Sequence, residues 1–333
     1  MKRVMPQICF AAFVSVGVAF ATEYAPNEIA NIPWGSADDA LSITEPHIEG
    51  EGTEEAFREP GMGPKTACVD RNENLIFSSA DLNYLKGFDL DGQLLFDLMK
   101  EGIPICQRLS GSAVKSLIVD SSFIYIISAS GLPIIPIIDY EGNIVDSLTP
   151  YGEETTIEIG YLALNYEGSL SIMGFIRGQF QSDIWVVTLR GNEYIPGGSL
   201  AFLASNGSYY SAGAPPPNTL RFIKYENPDT AGVTPTKETK YIEFPGDSLD
   251  SAGIINGGDG SKLYVHIRKF INDDFMFEVW EFDLQYNLLA KAIFPLAENK
   301  YDWFITPFVS RDGAIYEFRC LDDGLHVVKW TKE

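Results

Sequence analysis

The chain is expected to be all-β, a six-bladed β-propeller of four-stranded antiparallel blades closed by an N-terminal strand. Three observations predict it. Short apolar runs alternate with tight-turn residues from residue 63 to the end. The runs group in fours, and the third run of each group ends at Phe88, Ile138, Val187, Tyr225, Phe282 and Trp330, at intervals of 50, 49, 38, 57 and 48 residues. Self-similarity at about 40–50 residues marks propeller blades. No helical periodicity persists over a dozen residues, which argues against an α/β fold.

The N-terminus reads as a processing segment. Lys2 and Arg3 form a positive start, residues 8–20 are apolar, and Ala19-Phe20-Ala21 fits the small-x-small cleavage rule. The apolar run is too short to anchor the chain across a bilayer. Cys9 follows Pro6-Gln7-Ile8 rather than a small residue, which argues against lipidation. Residues 1–21 are therefore expected to be a signal peptide, 22–62 a lead-in, and 63–333 the propeller. Export places the protein in the periplasm or outside the cell.

The first group places strands at 66–70, 75–79, 84–89 and 94–98, with turns carrying Asn72, Asn74, Asp81, Asn83 and Asp91-Gly92. Both faces of these strands are apolar, so the sheet needs neighbours like itself. The second group is 114–119, 123–128, 134–139 and 144–148; the third is 161–164, 170–176, 183–189 and 193–195. The fourth, 200–204, 209–211, 219–225 and 239–244, contains Pro215-Pro216-Pro217 and a polar insertion at 226–237. The fifth is 252–256, 262–268, 275–283 and 288–294. The sixth has only three strands, 304–309, 314–320 and 325–330. A ring with an unpaired seam exposes an edge. The lead-in is expected to supply the missing outer strand, from 28–33 or 41–44.

The first group carries a family resemblance. Gly63, Pro64, Val69, Asp70, Asn83, Phe88, Asp89 and Gly92 match an NHL-type propeller repeat, as do Val119-Asp120 and 138–142 in the second group. The third group keeps only Asn165, Gly168 and Gly191, and the sixth keeps residues 310–313. The chain thus resembles secreted bacterial six-bladed propellers of the NHL-repeat type. The resemblance implies a fold, not an activity, because propellers host binding, scaffolding and several chemistries.

Charge narrows the partners. The 24 basic residues face 46 acidic ones, a net charge of −22, or −24 once Lys2 and Arg3 are removed. That balance disfavours nucleic acid and anionic lipid as partners. The mature protein is expected to be a monomer binding a protein, peptide or glycan. Cys68, Cys106 and Cys320 remain after cleavage, and an odd count leaves at least one thiol unpaired. Buried free thiols are one reading; a bridge from Cys320 to Cys68 or Cys106, tying the last unit to the first, is the other.

Catalytic signatures are sparse. No metal or cofactor is expected: His47, His266 and His326 are scattered, and none falls on an inner strand. The Asp-Gly turns at 89–92, 139–142 and 312–313 are too short for the 6–8 oxygens of a calcium site. Residues 310–316 resemble half of a sialidase Asp-box, without its Trp and unrepeated, and read as a turn. No G-x-S-x-G elbow occurs. The predicted inner strands offer apolar or small side chains rather than the acid–base pairs of catalysis. A binding module is therefore favoured, with a propeller-type lyase or hydrolase as the alternative. The basic residues that stand out follow the second strands: Arg177 with Phe180, Arg268 with Lys269 and Phe270, and Arg319. An Arg beside an aromatic ring can grip a carboxylate, sulfate or sugar, so these six residues form the candidate ligand rim.

Overall fold

The computed structural model describes residues 22–36, 39–42, 47–49, 57–59, 63–79, 83–100, 103, 114–120, 122–128, 135–148, 157–164, 170–176, 182–188, 191–195, 202–215, 218–226, 236–244, 248–271, 274–295 and 305–332. Every regular element among them is a β-strand. The expected signal peptide, Cys106, Arg177 and Phe180 lie outside the described residues.

The lead-in contributes β1 (Thr22–Pro33) and a small antiparallel pair, β2 (His47–Glu49) and β3 (Phe57–Glu59). Four four-stranded antiparallel sheets follow in strict chain order. The first holds β4 (Pro64–Val69), β5 (Leu75–Ser79), β6 (Leu85–Phe88) and β7 (Leu94–Asp97). The second holds β8 (Val114–Val119), β9 (Ile124–Ser128), β10 (Ile135–Ile138) and β11 (Ile144–Leu148). The third holds β12 (Ile157–Leu164), β13 (Leu170–Ile176), β14 (Ser182–Thr188) and β15 (Gly191–Ile195). The fourth holds β16 (Phe202–Leu203), β17 (Tyr209–Gly213), β18 (Thr219–Glu226) and β19 (Thr236–Glu243).

The remaining strands form one eight-stranded sheet. Its first half is β20 (Leu249–Ile255), β21 (Lys262–Ile271), β22 (Asp274–Asp283) and β23 (Leu288–Ile293). Its second half is β24 (Phe308–Val309), β25 (Ile315–Cys320) and β26 (Gly324–Lys332), with β1 hydrogen-bonded outside β26. β1 runs antiparallel to β26 from Tyr24–Lys332 to Pro33–Gly324 and bulges between Glu28 and Ala30. At its start, Thr22 and Glu23 pair in parallel with Ala290 and Lys291 of β23, which joins the two halves. Of the two lead-in pieces considered, 28–33 therefore lies in this strand, which begins six residues earlier. Leu41 instead bridges Trp34 and is buried. Pro26 and Pro33 are tolerated because past Glu23 the outer side of β1 is an edge, where no ladder donor is missed.

A repeated turn explains why the strands start and stop where they do. Asp70, Asp89, Asp139 and Asp283 each accept two backbone N–H groups with Oδ1, from residues two and four places on, at 2.8–3.0 Å. Three places after each stands a left-handed residue: Glu73, Gly92, Gly142 and Tyr286. Such a turn needs positive φ there, which costs a glycine little and makes Glu73 and Tyr286 exceptions. Ser310 with Gly313, and Ala204 with Gly207, repeat the offset.

The sheets whose side chains are described pack face to face. β5, β6 and β10 are buried at every position, whereas outer strand β19 is almost wholly exposed. One core joins the first sheet to the β24–β26 half, with Phe77 edge-on to Phe318 at 5.8 Å. A second joins the first and second sheets. A third joins the fourth sheet to β20–β23, with Phe222 edge-on to Phe282 at 5.1 Å. A fourth joins the two halves of the long sheet. Each buried Leu, Ile or Phe in these layers contributes roughly 1.5–3 kcal/mol, so neighbouring sheets supply what no sheet has alone.

Cys68 and Cys320 are free and buried. The bridge from Cys320 to an earlier cysteine is not made. Cys68 faces the second sheet and donates to the Leu117 carbonyl at 3.1 Å, while Cys320 faces the core on the other side of the first sheet. Burial pushes both thiols up to about 12.

Candidate functional site

A cavity of about 500 Å³ opens where the first strand of several sheets turns into the second. Its wall comes from four separate turns. Val69, Asp70, Arg71 and Glu73 belong to the β4–β5 turn, and Ile118, Val119 and Asp120 to the end of β8. Asn256, Gly257 and Gly258 follow β20, and Phe308 to Asp312 with Tyr316 flank the β24–β25 turn. The volume falls in the range of small-molecule sites.

The local sequence explains the shape. A Cβ at Gly257 would lie 2.3 Å from the Val309 carbonyl oxygen, so only glycine lets this turn approach β24. Gly258 has φ +74°, and a Cβ there would meet the Tyr264 ring at 2.8 Å. Two adjacent glycines thus close one side of the cavity by backbone alone.

The acids around the cavity are engaged by neighbours. Asp70 is buried and accepts from Asn72 N, Asn74 N and Asn74 Nδ2, each at 2.8 Å, and from Tyr140 OH at 3.2 Å. Asp120 accepts from Ser122 N at 2.7 Å, Phe123 N at 2.8 Å and Tyr125 OH at 2.7 Å. Glu73 reaches across to the last strands, where its Oε1 takes Lys329 Nζ at 2.5 Å and Tyr316 OH at 3.1 Å. Asp312 is bonded by the Ser310 hydroxyl, which holds its carboxyl below the usual range. The Tyr316 phenol is pushed up to about 12, first by burial and then against the pull of Lys329. It is a proton holder at neutral pH.

The bases differ. Arg71 and Arg311 are both exposed at the cavity mouth, and neither has a hydrogen-bond or ion-pair partner among the described residues. They occupy the same place in successive versions of one turn, directly after Asp70 and Ser310. No histidine lines this cavity, and no group of three or more His, Cys, Asp or Glu is placed to hold a metal ion among the described residues.

Several solved structures are similar to this chain. A member of the DUF4221 family from Bacteroides vulgatus aligns at 13% identity and a TM-score of 0.50, covering 94% of this chain and 99% of that one. A streptogramin B lyase aligns at 12% and 0.43, covering 92% and 98%, and the Swd1 β-propeller domain of Myceliophteria thermophila at 10% and 0.45, covering 86% and 100%. These neighbours are β-propeller proteins. At 13% identity the DUF4221 likeness speaks for the fold alone. No family model matches the sequence, and no curated protein is significantly similar to it.

The described members of the expected rim lie at the other end of the strands. Arg268, Lys269 and Phe270 fall near the far end of β21, which runs on to Ile271, and Arg319 near the far end of β25. Arg268 Nε binds Asp250 Oδ2 at 2.5 Å and its guanidinium lies 4.8 Å from the centre of the Phe275 ring. Lys269 is buried, 2.7 Å from Glu278 and 5.0 Å from the centre of the Trp280 ring. Arg319 binds Glu317 at 2.7 Å. Phe270 is exposed and tilts onto Phe275 at 5.2 Å, an apolar pair where β21 ends and β22 begins. Each of these three bases therefore already holds an acid. Sequence reasoning missed Arg71 and Arg311; the available signal was their identical offset from an inner-strand end.

Proposed function

We propose that this protein is an exported binding module, a six-bladed β-propeller sealed by its N-terminal strand, which holds a small ligand in the cavity at its strand turns. The observation that carries the reading is that cavity, walled by four turns, floored by Val69, Val119 and Val309, and edged by two uncommitted guanidiniums. Four four-stranded sheets and two four-strand halves of the long sheet support a count of six. The seam formed by β1 and β26 supports closure by the lead-in. The positive, then apolar start supports export. The acids at the cavity are held in turn and cross-sheet bonds, Glu73 by Lys329 and Asp312 by Ser310 among them, rather than left free to exchange protons with a substrate, which favours binding over turnover.

The test is a binding screen over glycans, peptides and cell-envelope fractions with the wild type and two occluded variants, Asn256→Trp and Ile118→Trp. Both residues are partly exposed cavity walls, so either variant is expected to keep the wild-type melting temperature. A binder lost in both variants supports the site. Binders unaffected by either variant remove the ligand from this cavity, and chemical conversion of a binder would mark a lyase or hydrolase instead.

A further inference from the structure

We infer that the cavity takes an oxyanion-bearing ligand, a carboxylate or phosphate on an apolar body, gripped by Arg71 and Arg311. The inference rests on the cavity being the binding site and adds the chemical class. In a chain with 24 basic and 46 acidic residues, two exposed arginines sharing one cavity mouth are unusual company. Among the described residues, Arg268, Arg319, Lys224, Lys262, Lys269, Lys329 and Lys332 each pair with a carboxylate. Arg71 and Arg311, like the exposed Arg221, Lys65, Lys237 and Lys240, do not, although Asp70, Glu73, Asp120 and Asp312 stand around the same space. Those carboxylates spend their lone pairs on Asn72, Asn74, Ser122, Lys329 and Ser310 instead. The guanidiniums are left with their donors unspent.

The two arginines come from different sheets whose faces share one core. Their equivalent turn positions put a planar, multi-donor cation on each side of that joint. Guanidinium matches the geometry of carboxylate and phosphate oxygens and stays charged at any physiological pH. Beneath them, Val69, Val119, Phe308 and Val309 offer an apolar floor. A ligand that satisfies both needs an acidic end and a hydrophobic remainder. The surrounding negative charge disfavours free inorganic anions and places a premium on that remainder.

Calorimetric titration with phenylacetate, phenyl phosphate and the neutral phenylacetamide tests this at low salt. The charged probes are expected to bind and the amide to bind at least tenfold more weakly. Which of the two charged probes binds tighter separates a carboxylate site from a phosphate site. Arg71→Gln and Arg311→Gln are each expected to lose roughly tenfold or more, the worth of a charged hydrogen bond, with unchanged melting, since both residues are exposed. Equal binding of acid and amide, binding indifferent to both arginines, calcium binding in place of the anions, or no binding of either acid at about 10 mM would overturn the inference. A neutral probe that is lost in Asn256→Trp yet insensitive to the arginines would overturn the anion class while leaving the cavity site standing.

Discussion

Glu281→Gln should loosen the join between the two halves of the long sheet more than any surface substitution. Glu281 sits on β22 with no exposed surface, and its carboxylate collects three donors. Tyr24 OH from β1 lies at 2.6 Å, Lys332 Nζ from the end of β26 at 2.6 Å, and Lys262 Nζ from the start of β21 at 3.1 Å. One buried anion thus ties the β20–β23 half to the closing strand and to the last strand. Glutamine keeps the shape and removes the charge. A fully buried pair broken on one side costs about 3–5 kcal/mol. Here the Lys262 side chain is 38% and the Lys332 side chain 33% exposed, so both ammoniums can rehydrate. The cost should fall to about 2–4 kcal/mol, close to that of one or two charged hydrogen bonds. Burial alone would raise this carboxyl, but the bonds from Lys332, Tyr24 and Lys262 outweigh it and hold it below the ordinary glutamate range. A depressed folded value lends stability above the unfolded value, and that stability is lost as pH falls through the folded one. Glu281→Gln should therefore lower the urea midpoint at pH 7 and flatten the acid limb of the stability profile. Hydrogen exchange of β1 amides should speed up first. A variant within about 0.5 kcal/mol of wild type, or faster exchange everywhere except β1, would refute the reasoning.

Other outcomes follow from the same geometry. His326 on β26 lies 3.1 Å from Glu28 of β1 and 2.9 Å from Asp323; burial pulls its pKa down, but these two acids outweigh it and raise it. A raised value lends stability that is present below the unfolded histidine pKa of about 6.5 and lost as pH rises through the folded one, so His326→Gln should remove that pH dependence from melting curves across the neutral range. Gly257→Ala should cost roughly 1–3 kcal/mol in urea titrations, because its Cβ would press on the Val309 carbonyl. Cys68 and Cys320, buried with thiols pushed up to about 12, should escape a thiol reagent at neutral pH until the protein unfolds, as read by peptide mapping.

Local chemistry was legible and convergence was not. The strand rhythm was readable because these hairpins announce themselves within five residues: Asp70, Asp89, Asp139 and Asp283 cap their own turns with backbone N–H groups two and four places on. The missing strand of the last unit was readable for a similar reason, since three strands leave an edge that some other segment must cover. The start of β1 at Thr22 was less so, because its first two pairings are with β23 rather than with the last unit. What the rim residues touch was not legible, for a physical reason. Arg268 and Lys269 follow an apolar run and look like the opening of a loop, but β21 continues to Ile271 and carries them alongside Asp250 and Glu278. Those acids are 18 places before Arg268 and nine after Lys269, so their proximity exists only once the strands pair. Arg71 and Arg311 stand 240 places apart, and nothing near either in the chain marks it as half of a pair. What joins them is the return of the chain beside its own beginning. Its linear trace is a repeated turn, Asp70-Arg71-Asn72 and Ser310-Arg311-Asp312, in which the first residue serves the fold and leaves the second free for a ligand.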